Sequence, residues 1–259
     1  RNYGYWLTQS CPTGHGSVGC PPGTLANNFW PAFGNTLFFT LVTVLLETIL
    51  GIGMALVMAK DFHGRGLLRA AVLVPWAIPT AITAKLWAFL FSEQGIVNSI
   101  FHAHVAWQTD PWAARFSIIL ADVWKTTPFM ALLILAGLQM IPKDLYEAAR
   151  MDGANAWQRF TRITLPLAKN SIIVAVLFRM LDALRMYDLP YIMVGPNPDS
   201  PTATLSQLVV AAIRQDHVNA ASALSTLIFL LIFLIALCFV KSLGSKVAHQ
   251  AEPVVAEEE

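Results

Sequence analysis

The sequence predicts an all-α fold, a polytopic bundle of transmembrane helices. Three observations carry that expectation. Hydrophobic residues make up 56% of the 259 and charged residues only 13%, where soluble domains carry about 25% charged. Five apolar stretches, at 34–58, 67–91, 114–137, 171–194 and 221–240, reach the ~20 residues that a helix needs to cross ~30 Å of hydrocarbon. None of them shows the alternating segments of about ten residues that a membrane barrel requires. The mean hydropathy of +0.55 agrees. With a net charge of +1 there is no long-range field for nucleic acid, so membrane lipid is the expected surrounding and nucleic acid is not an expected partner.

Residues 1–33 are polar, rich in Gly, Pro and aromatics, and read as an external loop segment. Cys11 and Cys20 close a short loop there, and an oxidising exterior would let them pair. Two unrelated thiols are the other reading. The permease body spans 34–241, and 242–259 is a polar tail expected to be disordered and cytoplasmic. Cys238, in the last span, is expected to pack. The chain opens at Arg1 without a methionine. Together with the odd number of spans, this suggests that a first helix precedes the sequence.

Lys and Arg placement sets the orientation. One set of loops holds ten basic residues, including Lys60, Arg65, Arg69, Lys143 and Lys241, and the opposite set holds Arg1, Arg115 and Arg214. The positive-inside rule puts the first set in the cytoplasm. Segment 141–169 then becomes the one long cytoplasmic connection, and a short external helix is expected near 205–214. Pro75, Pro79, Pro128 and Pro190 lie in or beside spans and are expected to kink them.

The cytoplasmic connection reads IPKDLYEAARMDGANAWQRFTRITLP from Ile141 to Pro166. Pro142 suits a first helical turn. Leu145, Ala148 and Ala149 share a face, and Gly153 offers the positive φ that ends a helix. A second short helix through Ala156, Trp157, Phe160 and Ile163 is expected to stop at Pro166. Such a bent pair is either a docking knob, with Glu147 and Arg150 at its rim, or an amphipathic element resting in lipid headgroups. Physics alone leaves both open.

The segment resembles the EAA loop of binding-protein-dependent ABC importer permeases. That pattern is Glu-Ala-Ala, three residues, Gly, nine residues, then Ile-x-Leu-Pro. Glu147, Ala148, Ala149, Gly153, Ile163, Leu165 and Pro166 all match at the right spacing. The Asp152-Gly153-Ala154 run, the Tyr187-Asp188 pair and the YIMVGP stretch at 191–196 are similar to the carbohydrate-uptake branch, the maltose and glycerol-phosphate permeases. The resemblance implies a type I ABC importer permease fold in a bacterial plasma membrane. It makes Glu147, Ala148, Ala149, Asp152, Gly153 and Ala154 a cytoplasmic coupling helix gripped by an ATPase. It also implies the partners: a second, related permease subunit (a heterodimer), two copies of the ATPase subunit, an external sugar-binding protein, and a sugar as substrate.

Ionisable residues at membrane depth are costly and mark pathways or helix locks. Asp122 and Lys125, three apart, can pair on one helix, and Arg179, Asp182, Arg185 and Asp188 form a ladder at steps of three. Asp182 falls ~16 Å into its span, near the midplane. With Trp87, Trp124 and Tyr187 as aromatic faces, these charges suit either a polar sugar path or internal pairing. Glu47 and Lys85 are expected to link helices.

No phosphate-binding G-x-x-x-x-G-K-[ST] motif occurs, so ATP and Mg are expected on the partner, with no cofactor on this chain. Neither a catalytic set nor a metal site is expected. His102 and His104 lack a third ligand and read as a solvated loop. The competing function is an ion-coupled secondary transporter of a polar solute, whose usual sign, an internal repeat, is not found. An intramembrane enzyme is the third and weakest reading.

Overall fold

In a computed structural model, residues 2–13, 16–102 and 104–251 are described. A small cap comes first. Helix α1 (Asn2–Leu7), strands β1 (Ser10–Thr13) and β2 (Gly16–Gly19) and a 3-10 turn (Leu25–Asn28) lead into α2 (Phe29–Ala59). The strands pair antiparallel, and Cys11 is joined to Cys20 in a disulfide. Trp6 is fully buried and its indole N–H donates to Ala220 O at 2.8 Å, which pins the cap to the last long helix.

The span 67–91 is not one helix. It forms α3 (Arg65–Ala77) and α4 (Thr80–Leu90), bent by 87° at the break. Pro79 sits in the break and has no N–H to continue the ladder, and it also disfavours the helical region at Ile78. The short α5 (Ile96–Phe101) follows, then α6 (Pro111–Gln139). Asp110 caps α6, accepting from Trp112 N and Ala113 N at 3.0 and 2.8 Å, with Pro111 in the first turn.

Beyond α6 lie α7 (Lys143–Met151), α8 (Ala156–Arg159), a π-helical turn (Phe160–Thr164) and α9 (Leu165–Ala183). Pro166 does not stop the second helix as expected. Residues 156–183 run on as a single 28-residue helix. The wide turn ahead of Pro166 gives its ring room and removes the need for its missing N–H.

The fourth span also departs from expectation. Helix α9 ends at Ala183, and α10 (Asp188–Met193) is a separate short helix. Helix α11 (Leu205–Arg214), the expected external helix, has a capping box from Thr204 and Gln207. Helix α12 (Val218–Ala251) is the last described element; it runs ten residues into the segment expected to be a disordered tail, and the remainder of that segment, 252–259, lies outside the described residues. Among the described residues, four helices are long and apolar enough to cross a membrane, or five if the bent pair is one span.

Helices α2 and α6 pack along their lengths, and α9 lies against both. They are close because small residues sit at the crossings. A Cβ at Gly51 would lie 3.1 Å from Met130 Cβ, and one at Gly137 would overlap the Ser171 side chain. Polarity is reversed relative to a soluble helix. The inner face of α2 carries Thr36, Thr40, Thr43 and Glu47, all buried, while Leu41, Leu45 and Ile49 are about 60% exposed. Thr36 and Thr40 return their hydroxyls to the backbone one turn back, to Ala32 O at 2.8 Å and Thr36 O at 2.7 Å. Cys238, expected to pack, is exposed on α12.

Candidate translocation site and coupling loop

Three helices converge on one guanidinium. Arg179 of α9 is 2% exposed. Its Nε donates to Glu47 Oε2 at 2.5 Å and its Nη2 to Glu47 Oε1 at 3.0 Å. Nη2 also donates to Asp122 Oδ2 of α6, and Nη1 to Asp182 Oδ2 at 3.2 Å. The Thr126 hydroxyl stands 2.6 Å from Glu47 Oε1 and 2.7 Å from Asp122 O, so it donates to one or shares its proton between them. A single cation therefore ties α2, α6 and α9 through carboxylates.

Asp122 and Lys125 do not pair as expected. Each finds a stronger partner off its own helix. Asp122 takes Arg179, and Lys125 Nζ donates to Ile78 O at 2.8 Å and Trp76 O at 3.3 Å. Those carbonyls belong to the end of α3, where the ladder has stopped and the helix dipole favours a cation. The ladder from Arg179 to Asp188 is likewise interrupted, because α9 ends at Ala183. Asp182 is not mid-helix. It lies in the last turn, with its side chain 65% exposed. Arg185 folds back to Leu181 O at 3.3 Å, and Asp188 opens α10.

A cavity of about 180 Å³ lies beside this hub. Asp122, Lys125, Arg179, Asp182, Arg185, Tyr187 and Asp188 line it, together with Thr80 and Thr126, which sequence reasoning missed. Trp87 and Trp124 are not among its lining residues. Trp124 is two residues past Asp122, some 200° around the helix, and packs edge-on against Trp87 at 5.8 Å. Trp87 also stacks on Phe91 at 5.6 Å. Tyr187 stacks on Tyr191 at 4.9 Å, and the Arg214 guanidinium lies over the Tyr191 ring. Glu47 does link helices, whereas Lys85 is exposed on α4.

At the end of α6 the chain turns into an exposed elbow. Helix α7 has no buried residue, and Gly153 takes φ +77° where it ends. Asn155 and Gln158 cap α8 reciprocally at 2.8 Å each. Glu147, Ala148, Asp152 and Gly153 are exposed, and Ala149 and Ala154 half-buried. Leu145, Met151 and Trp157 are 44%, 89% and 71% exposed. Apolar groups this open on a polar connection invite a protein partner. Two contacts brace the elbow from behind: Tyr146 Oη lies 3.0 Å from Thr164 Oγ1, and Lys143 Nζ donates to Asp61 Oδ2 at 3.0 Å. The Lys143 hydrogen bond, then the charges of Lys143 and Arg65, hold the Asp61 carboxyl below its usual range.

Residues 47–249 match the family model of the binding-protein-dependent transport system inner membrane component. The chain belongs to this family. It is a multi-pass permease subunit of an ABC importer and not an enzyme; the ATPase is a separate partner, and a solute-binding protein is the other kind of partner. It is 44% identical over 221 residues to the trehalose/maltose transport system permease protein MalF of Thermococcus litoralis, covering 83% of this chain and 75% of that one. It is 39% identical to the trehalose transport system permease protein SugA of Mycobacterium tuberculosis, covering 84% and 71%. A bacterial ABC transporter involved in the import of the acidic polysaccharide alginate superposes with a TM-score of 0.75 at 26% identity, over 83% of this chain and 78% of that one.

Proposed function

We propose that this permease forms one half of the translocation path of an ATP-driven sugar importer and takes a neutral disaccharide. The carrying observation is the pairing of an exposed elbow at 143–159 with a polar cavity beside the buried Arg179 hub. The elbow seats in a groove of the ATPase through Leu145, Ala148, Met151 and Trp157, with Glu147 and Asp152 at the rim. Two ATPase copies bind Mg-ATP, and a second, related permease completes the path. Closure of the ATPases pushes α7, and the helices tied at Arg179 move with it. The external binding protein then delivers sugar to the cavity. This reading places the elbow and the C-terminus in the cytoplasm, supported by the ten-to-three excess of basic residues on that side.

The sugar class is supported by the trehalose and maltose transport named for the relatives. It is also supported by a lining of mixed carboxylates, cations and hydroxyls that can pair with sugar hydroxyls. The complex reconstituted in proteoliposomes, with a panel of mono- and disaccharides and their binding protein, tests it. Trehalose or maltose should stimulate ATP hydrolysis and enter the vesicles. Uptake driven by a pH gradient without ATP would replace this reading with a secondary transporter.

A further inference from the structure

A second cavity, of about 340 Å³, opens at the other end of the bundle from the elbow. Helices α2 and α6 run parallel, so their starts share one end and their exits the other. Asn35 meets Arg115 at the first end and Asp61 meets Lys143 at the second. The cavity is built from the start of α2, the start of α6 and the 198–203 loop. It lies in the size range of small-ligand pockets, roughly 300–1,000 Å³.

Its wall combines Trp30, Asn28, Asn35, Arg115, Asp199 and Ser200. Trp30 is 51% exposed, its ring packed T-shaped against Phe29 at 5.1 Å and Phe33 at 5.9 Å. Arg115 uses only Nη2 for its hydrogen bonds, to Asn35 Oδ1 at 3.1 Å and Pro201 O at 3.0 Å. Its Nε and Nη1 have no hydrogen-bond partner among the described residues. Asn28 donates to Asp199 Oδ1, and the other Asp199 oxygen accepts nothing among the described residues. A guanidinium and a carboxylate thus line one cavity without pairing with each other. Each keeps unused donors or acceptors, and both are held by carboxamides.

That inventory suits a polyol. A carboxylate oxygen accepts from sugar hydroxyls, a guanidinium donates to hydroxyl and ring oxygens, and an open indole face takes the C–H surface of the ring. One positive and one negative charge leave no net attraction for a polyanion. We propose that this cavity is an outer saccharide subsite, which holds an incoming neutral sugar before it reaches the cavity at Arg179. The proposal rests on the sugar-importer reading and deepens it.

The test uses the whole importer in proteoliposomes, with trehalose uptake measured for wild type, Trp30→Ala and Asp199→Asn. Asp199→Asn keeps an acceptor for Asn28 at an exposed position, so it guards against a folding defect in the other variant. Both should raise the apparent KM about tenfold, the loss of one good contact, with maximal uptake within about twofold of wild type. Saturation-transfer NMR of the complex without its binding protein should show trehalose on wild type and not on Trp30→Ala. An unchanged KM with normal wild-type uptake overturns the subsite and leaves the sugar-importer reading standing. A raised KM that follows weaker binding-protein docking, measured by co-sedimentation, assigns the surface to a protein contact and overturns the subsite. A wild-type complex that imports no sugar in the panel overturns both.

Discussion

Arg179 and Glu47, separated by 132 positions, meet fork to fork in the middle of the bundle through two hydrogen bonds of 2.5 and 3.0 Å. Both are almost wholly buried, at 2% and 0% exposure. In a medium that offers no water, each neutralises and hydrogen-bonds the other, and Asp122 shares the same guanidinium. The pair sets the rotation and height of α9 against α2.

Removing the cation strands two buried carboxylates. Arg179→Ala should therefore lower stability by about 3–5 kcal/mol and should reduce the amount of assembled complex. Arg179→Lys should recover little, because a point charge cannot reproduce the paired geometry. Thermal melting of the detergent-purified permease checks both. A melting point equal to wild type in the alanine variant would remove the hub from the account of stability.

Gly137 and Ser171 fix how closely α6 and α9 cross. A methyl group at position 137 would overlap the serine side chain. Gly137→Ala should cost about 1–3 kcal/mol through overpacking, and Ser171→Gly in the same chain should restore much of it. Denaturation of the single and double variants measures the coupling. Additive effects would show that the two helices do not touch there.

Lys125 closes the open end of α3 at the break with α4. Lys125→Met retains the aliphatic bulk and removes the donors to Trp76 O and Ile78 O. The break should loosen, and uptake should fall about tenfold while the ATPase still co-purifies. Normal uptake would mean that the bend is held by Pro79 and packing alone.

In the proposed reading the elbow carries the link to the ATPase. Gly153→Val forces a β-branched residue into φ +77°, a strain of about 1–2 kcal/mol, and should tilt α8 away from α7. Trp157→Glu should disturb the docking surface without touching the bundle. Both variants should insert normally and lose co-purification of the ATPase. Retention of the ATPase together with normal uptake would argue for a headgroup-resting helix instead.

Asp61 braces the elbow through Lys143, and its carboxyl is held below the usual range, first by that hydrogen bond. A depressed pKa means that the contact contributes above the free carboxylate value, about 4, and is lost as the pH falls through the lowered one. Spin labels on α7 and on α3 should show a constant distance from pH 8 to 5 and a wider distribution in stronger acid. Asp61→Asn should show the wider distribution at every pH. The effect is small, because both side chains are well exposed.

Much of this protein is legible from residue order because lipid reads composition directly. Apolar length sets the spans, basic residues in loops suggest the sides, and the 147–166 pattern with its glycine announces the elbow. Each is a local property. Thr80 and Thr126 escaped notice because isolated threonines carry no charge to draw attention. The break at Leu184, by contrast, carries no proline or glycine to mark it.

What the tertiary structure alone decided is partnership. In sequence, Asp122 looks matched to Lys125, and Arg179 looks like one rung among four. In space, Arg179 reaches two other helices, and Lys125 reaches the end of α3. Charges excluded from water take the partner with the best geometry, whatever its distance along the chain. That choice exists only once the helices have packed.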